Sequence, residues 1–243
     1  IKCELCQNVC RAGAVDFNQK PETINLNVGA IILATGFEEF DPRLKSGYGY
    51  GRYPNVVSSI EFERILSASG PFGGKIVRPS DGIVPQKIAF IQCVGSRDDQ
   101  VGSNYCSSAC CMYAIKEAVI AREHNPRLQC AIFFMDIRAY GKEFDEYYER
   151  ATKEYGVRFV RSRVSNIEEK PKTRDLIVRH VVEEKPTDEE FDLVVLSVGM
   201  KPPKDAVELS KVLGIELNKY NFCATETFSP VETSRQGIYV CGA

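Results

Sequence analysis

Four of the ten cysteines in this chain lie close together in the sequence, in the pattern C-x12-C-x3-C-C. Cys93 ends an apolar stretch that predicts a strand, and Cys106, Cys110 and Cys111 lie near the start of a predicted helix. Because the positive end of a helix favours anionic thiolates, this place suits metal-binding cysteines. Four thiolates on one sharp loop are able to surround an iron–sulfur cluster, and this is the interpretation that we favour.

Two other interpretations of these cysteines stay open, a structural zinc site and plain buried or redox-active thiols. Adjacent Cys110 and Cys111 are unusual for zinc, whose cysteine ligands usually come as C-x2–4-C pairs. The loop carries Gly95 but lacks the other glycines of the G-x-G-x-x-G turn that seats a dinucleotide. Because bulky charged thiolates would keep the backbone away from a pyrophosphate, we expect a cluster here in place of a nicotinamide.

The composition excludes several other classes of protein. The 243 residues are 44% hydrophobic and 26% charged, which is ordinary for a globular domain, and the net charge of −2 favours neither nucleic acid nor an anionic membrane. No apolar stretch approaches the roughly 20 residues of a membrane-spanning helix. Clustered cysteines without a signal-peptide pattern lead us to expect metal or redox chemistry in a reducing compartment, the cytoplasm.

The order of predicted elements indicates an α/β fold with a parallel sheet and helices on its faces. The predicted strands are 28–36, 87–93, 129–137, 157–160, 167–169, 176–182, 191–198 and 237–240. The predicted helices are 59–69, with Ser59 as N-cap and Gly70 as stop, 107–124, 144–155 and 202–213. Residues 37–58 and 70–86 are predicted as loops, and turns at 171–175 and 186–188 suggest an antiparallel addition.

Three more cysteines, Cys3, Cys6 and Cys10, form a C-x2-C-x3-C pattern at the start of the chain. A ferredoxin-type run reads C-x2-C-x2-C-x3-C-P, so the first ligand would fall just before Ile1. Arg11 stands where that run has proline. We therefore expect cluster ligands here that are complete only in a longer protein, of which this chain is an internal piece.

Three further segments resemble flavoprotein motifs. Ala34-Thr35-Gly36 ends an apolar run in the way that a flavin-contacting strand does, and residues 191–199 resemble the strand that closes a second domain. Residues 233–242 resemble the last flavin motif, T-S-x-x-G-I-Y-x-x-G-D, with Ala243 in place of the aspartate. Each motif alone is weak, but their order favours an FAD site that includes Gly242 and Ala243.

Together these segments resemble the A-type iron–sulfur flavoprotein component of the heterodisulfide reductases. The resemblance rests on the C-x2-C-x3-C start and on residues 29–42, 48–54, 91–98, 106–117 and 228–243. It implies a thioredoxin-reductase-like flavoprotein fold with two Rossmann-like three-layer units, plus part of a ferredoxin-like segment. The implied domains are 1–20 for the cluster segment, 21–86 with 200–243 for FAD, and 87–199 for an inserted Rossmann-like domain.

The resemblance also implies chemistry and partners. It implies FAD and [4Fe-4S] clusters, cluster ligation by the four central cysteines, and flavin-based electron bifurcation in methanogenesis. The implied partners are the B and C subunits of heterodisulfide reductase, a hydrogenase or formate dehydrogenase subunit, and ferredoxin. Lys116, one and a half helical turns beyond Cys111, would place a positive charge near the flavin, although a surface lysine is an equal alternative.

Two other functions stay open. The chain could be a dithiol–disulfide oxidoreductase that uses its cysteines directly on a substrate, which predicts reactive thiols and little iron. It could also be a non-catalytic segment that docks partner subunits, which predicts neither flavin nor metal.

Overall fold

The computed structural model describes residues 3–242. Its strands are β1 (Ile31–Leu33), β2 (Glu38–Glu39), β3 (Val56–Ser58), β4 (Lys87–Val94), β5 (Gln129–Phe134), β6 (Arg158–Arg161), β7 (Asn166–Glu169), β8 (Leu176–Val182), β9 (Lys185–Phe191), β10 (Leu193–Val198), β11 (Met200–Lys201) and β12 (Ile238–Val240). Its α-helices are α1 (Leu5–Val9), α2 (Ser59–Leu66), α3 (Cys110–His124), α4 (Phe144–Lys153) and α5 (Ala206–Leu213).

A parallel sheet of five strands, in the order β3-β10-β4-β5-β6, forms the centre of the fold. Every residue of β10 is buried, and so are most residues of β4. Strands of a parallel sheet are covered on both faces, which is why these two read as continuous apolar runs rather than alternating ones. The predicted α/β class is confirmed.

The two faces of this sheet are covered by different layers. Because successive side chains of a strand point to opposite faces, Ile88 and Phe90 of β4 pack with α2, α3 and α4. Their neighbours Ala89 and Ile91 pack against the antiparallel sheet β7-β8-β9. The result is three layers, with helices, parallel sheet and antiparallel sheet stacked in that order, and the predicted antiparallel addition is confirmed.

Two smaller sheets join distant parts of the chain. β1 pairs in parallel with β12, and β2 pairs antiparallel with β11. The sequence predicts a buried strand over residues 28–36, and this prediction is wrong in length and burial. β1 has three residues, and Ile32 is 70% exposed.

The start of α2 differs from the prediction. Ser58, not Ser59, is the N-cap: its Oγ accepts a hydrogen bond from the Glu61 amide at 3.4 Å, and Glu61 Oε2 accepts one from the Ser58 amide at 2.7 Å. This reciprocal pair is a capping box. The helix ends at Leu66 rather than at residue 69.

β3 lies inside a segment that the sequence predicts as loop. Its residue Val56 pairs with Val194 of β10, so β3 and α2 pack with the central sheet, whereas the sequence groups them with the FAD-binding segment. Three residues are too few to show a strand pattern. The division into domains otherwise stays a prediction.

The predicted turn at 186–188 is wrong, because these residues belong to β9. The chain turns instead at Glu183 and Glu184, both with positive φ, as a type I′ hairpin turn requires. Two helices also begin later than predicted. α3 begins at Cys110, after Ser108 with its φ of 58°, and α5 begins at Ala206, beyond Pro202 and Pro203.

None of the helices in residues 3–242 has the length and apolar character that crossing a bilayer requires.

Candidate functional site

The site is built on the loop that follows β4 at the carboxyl end of the central sheet. Cys93, Gly95 and Arg97 all have positive φ, so the chain reverses sharply after the strand. A Cβ atom at Gly95 would lie about 2.0 Å from the buried ring of Phe40, so this position requires glycine. The loop therefore folds tightly, with its backbone pressed against the β2 segment.

Buried serines hold the far side of this loop. Ser96 Oγ donates to the Tyr105 carbonyl at 3.1 Å and accepts from the Ser107 amide at 3.1 Å. Ser107 Oγ in turn accepts from the Met200 amide at 2.9 Å. Cys106, between these anchors, is thereby fixed beside the start of α3.

Of the four central thiols, Cys110 interacts with both Cys93 and Cys111. Cys110 and Cys111, in the first turn of α3, are 1% and 4% exposed. The hydrogen bond from Cys110 lowers the pKa of Cys93, and the positive charge of Arg97 lowers it further. The same thiol proton, directed to Cys111 instead, lowers the pKa of Cys111, while Cys110, the donor in either case and buried, has a raised pKa.

The fourth thiol, Cys106, lies close enough to Arg97 for its charge to act on that residue. Burial lowers the pKa of Arg97, but the contact with Asp136 and the charges of Cys93 and Cys106 outweigh it and raise that pKa. The guanidinium thus supplies a positive charge near Cys93 and Cys106, as a site for anionic thiolates needs.

This donor set fits an iron–sulfur cluster: four thiols on one loop and helix start, two of them buried and two partly buried, with a cation nearby. Within residues 3–242 no three such side chains are gathered closely enough to hold a single metal ion. A cluster differs from a single ion, because each cysteine binds a different iron atom and the sulfurs are spread more widely. The ligand roles of these four cysteines stay a prediction.

The flavin motifs from the two ends of the chain meet at one small sheet. The Cys241 amide donates to the Leu33 carbonyl at 2.9 Å, which sets Gly242 beside the segment Ala34-Thr35-Gly36. These four residues are exposed, and Gly36 and Gly242 have positive φ. Ala243 lies outside the described residues. Contact of this edge with a flavin stays a prediction.

Lys116 is not simply solvated. On α3 it forms an ion pair with Glu63 of α2 at 3.0 Å, and both side chains are about half exposed. The next residue, Glu117, is 1% exposed, and its Oε2 has no hydrogen-bond partner among the described residues. Burial raises the pKa of Glu117 to about 9, and the charge of Glu63 adds to this. Sequence reasoning missed both glutamates, because neither belongs to a motif.

The N-terminal cysteines lie apart from these groups. Cys3 precedes the short helix α1 and Cys6 lies within it, both exposed, and Cys10 follows it. The amide of Ala14 donates to Cys10 Sγ at 3.4 Å, and this hydrogen bond lowers the pKa of the Cys10 thiol. Their role as cluster ligands stays a prediction.

Comparison with known proteins decides the family. Residues 6–243 match the sequence model of the pyridine nucleotide-disulphide oxidoreductases. The chain belongs to this family. Membership makes it part of an oxidoreductase and implies a flavin. The fold is shared with the thioredoxin reductases of Lactococcus lactis and T. acidophilum, with TM-scores of 0.50 each at 20% and 13% identity, over 88% of this chain and 56% of those chains.

Curated relatives of this pyridine nucleotide-disulphide oxidoreductase confirm the resemblance seen in the sequence. The A-type iron-sulfur subunit of CoB–CoM heterodisulfide reductase from Methanocaldococcus jannaschii is 47% identical over the whole chain. The second of the corresponding subunits from Methanopyrus kandleri is 50% identical over 96% of it. The chain spans 37% and 36% of the lengths of these two relatives.

Proposed function

We propose that this chain is the flavin-binding and cluster-binding part of an electron-transfer subunit in a heterodisulfide-reductase-type complex, passing electrons between FAD and [4Fe-4S] clusters. The observation that carries the proposal is the place of the four central cysteines. They occupy the carboxyl end of the middle strand β4 and the start of α3, where a doubly wound fold seats a dinucleotide pyrophosphate.

The chain's own residues have distinct tasks in this proposal. Cys93, Cys106, Cys110 and Cys111 would hold the cluster, and Ala34, Thr35, Gly36, Gly242 and Ala243 would approach the flavin. When bound, the flavin exchanges electrons singly or in pairs and the cluster exchanges them one at a time. Burial of Cys110 and Cys111 excludes water, and the glycine-dependent turn at Gly95 keeps the thiols in place.

Finer parts of the proposal concern the surrounding complex. Cys3, Cys6 and Cys10 would belong to a second cluster, and Lys116, held by Glu63, would tune the flavin by its charge. Bifurcation, with a hydrogenase or formate dehydrogenase as donor and with the B and C subunits and ferredoxin as acceptors, is part of the proposal, and the names of some relatives mention hydrogen, formate or ferredoxin. One of these, from Methanothermobacter marburgensis, is named as part of an H2:CoB-CoM heterodisulfide,ferredoxin reductase.

Iron analysis of the full-length protein, purified without oxygen, tests the cluster assignment. We expect Cys110→Ser to lose the iron and the broad visible absorption of the central cluster, because serine is a poor ligand for these irons. Cys130→Ala is the matched control, since Cys130 is equally buried but lies on β5 outside the loop. Wild-type iron content in Cys110→Ser would contradict the assignment.

A dithiol–disulfide oxidoreductase is the second candidate, favoured by the contact between Cys110 and Cys111 and by the lowered pKa of Cys111. Thiols counted before and after reduction separate the two functions. Iron-free protein whose thiol count rises by two on reduction would support the second candidate, and iron-loaded protein with an unchanged count would support the first.

A further inference from the structure

A charged pair beside the central cysteines is not explained by ligation alone. Asp136 lies just beyond the carboxyl end of β5, the strand next to β4. Its Oδ2 lies 2.9 Å from Nη1 of Arg97, and its Oδ1 lies 3.5 Å from Nη2 of Arg161. Its backbone carbonyl accepts a hydrogen bond from Cys111 Sγ at 3.7 Å.

The position of Asp136 has a known use in nucleotide-binding folds. An acidic residue at the end of the second strand of the unit binds the ribose hydroxyls of the dinucleotide. Here both carboxylate oxygens already face arginines, and the carbonyl faces a thiol. The acid is therefore turned toward the cysteine loop and is occupied from within the protein.

Arg97 is held at both ends. Its amide donates to the Tyr105 carbonyl at 2.8 Å, and its backbone adopts a left-handed φ of 55° that is uncommon for a residue other than glycine. Its guanidinium is paired with Asp136, and its side chain is three-quarters buried. The ion pair with Asp136 thus keeps the charge in the cysteine loop, where it lowers the pKa of Cys93, although Nη1 makes no hydrogen bond to the carboxylate.

We propose that Arg97 is a tuning residue that raises the reduction potential of the central cluster, and that Asp136 is the positioning residue that holds Arg97 against it. This inference rests on the proposed function, because it requires the cluster. A fixed positive charge stabilises the more negative, reduced form of a cluster, and nearby charge is one of the factors that set cluster potentials. Arg138 supplies a second charge beside Cys111, from the loop after β5.

The test is an electrochemical titration of the full-length protein, monitored by electron paramagnetic resonance, with iron content measured on the same samples. We expect Arg97→Gln to keep its iron and to lower the midpoint potential of the central cluster, by up to a tenfold change in the one-electron reduction equilibrium, which is about 59 mV. Arg97→Lys, which keeps the charge, should recover most of the shift.

Arg161→Gln is the matched control, because it removes the same charge from the other arginine at Asp136, whose side chain is 78% exposed. We expect a much smaller shift. Equal shifts in Arg97→Gln and Arg161→Gln, or an unchanged potential in iron-loaded Arg97→Gln, would overturn the proposal.

Asp136→Asn tests the positioning role independently. If Arg97→Gln loses its iron, the potential of Asp136→Asn tests the proposal in its place. Loss of a negative charge alone would raise the potential. We expect it to fall, because Arg97 is released, and a raised or unchanged potential would reject the positioning role. Absence of iron from the wild-type protein would instead refute the proposed function itself.

Discussion

At the scale of single residues, the cysteine loop depends on backbone shapes that few side chains tolerate. Gly95 has a φ of 71° and lies against Phe40, and Gly199, on the neighbouring strand end, has the Gly95 carbonyl about 2.8 Å from where a Cβ would stand. Two backbones thus meet without side chains between them. The close approach leaves no room for a side chain at either position.

We expect Gly95→Ala to lower the free energy of unfolding by roughly 2 to 4 kcal/mol, from the left-handed backbone and from overpacking against Phe40. Gly102→Ala is the matched control. Its φ of 65° is similar, but within residues 3–242 no atom beyond its chain neighbours lies within 4 Å of the added Cβ. It should cost only about 1 kcal/mol. Equal losses in denaturant unfolding would show that Phe40 is not the cause.

At the scale of elements, the short helix α2 depends on its cap. It has eight residues, too few to be stable alone. It is held by the capping box of Ser58 and Glu61 and by Phe62, Ile65 and Leu66, which pack into the helical face of the core. Because α2 also carries Glu63, the cap positions the partner of Lys116.

We expect Ser58→Ala to lower the free energy of unfolding by about 1 kcal/mol, because it leaves the Glu61 amide without its acceptor. Ser69→Ala, a change at an exposed serine beyond the helix, should have no measurable effect. The free energies of unfolding of both variants are measured by chemical denaturation at neutral pH. If the Ser58→Ala protein were as stable as the wild type, Ser59 would be assigned as the N-cap, as the sequence alone predicts.

At the scale of the whole molecule, each of the two layers that cover the central sheet buries an ionisable group. His180, on β8, is 2% exposed and stacks edge-on against Phe133 at 4.9 Å. Burial lowers its pKa, so stability is lost as the pH falls below the unfolded value and the unfolded chain takes up the proton. Glu117, in the helical layer, changes the stability with pH in the opposite direction.

Glu117 makes stability fall with rising pH. Its folded pKa is about 9, against 4.5 as the ordinary value, so between these values the folded chain binds more protons than the unfolded chain. This group should remove on the order of 3 kcal/mol of stability between pH 4.5 and pH 7. We expect Glu117→Gln to abolish that slope, measured by denaturation from about pH 5 to pH 8. The exposed Glu208→Gln should leave it unchanged, and a persisting slope in Glu117→Gln would assign it to another group.

The sequence predicts long, apolar elements well and short or irregular ones poorly. β4 extends the prediction by one residue, because a continuous apolar run leaves little choice of structure, and β8, which also carries Arg179 and His180, has the predicted bounds. Pro186 misled the turn prediction, since β9 lies at the edge of its sheet, where a residue without an amide hydrogen is tolerated. Ser58 and Ser59 are adjacent and alike in chemistry, and only the path of the chain out of β3 decides between them.

The sequence by itself determined the α/β class, the cysteine spacing on one loop and helix start, and the order of the flavin motifs. Those features are local, so neighbouring residues express them. Only the tertiary structure decided that Arg97 meets Asp136, that Lys116 meets Glu63 and that Glu117 is buried. These groups lie on different elements, and they come together because parallel strands end at one edge of the sheet and because α2 packs across α3.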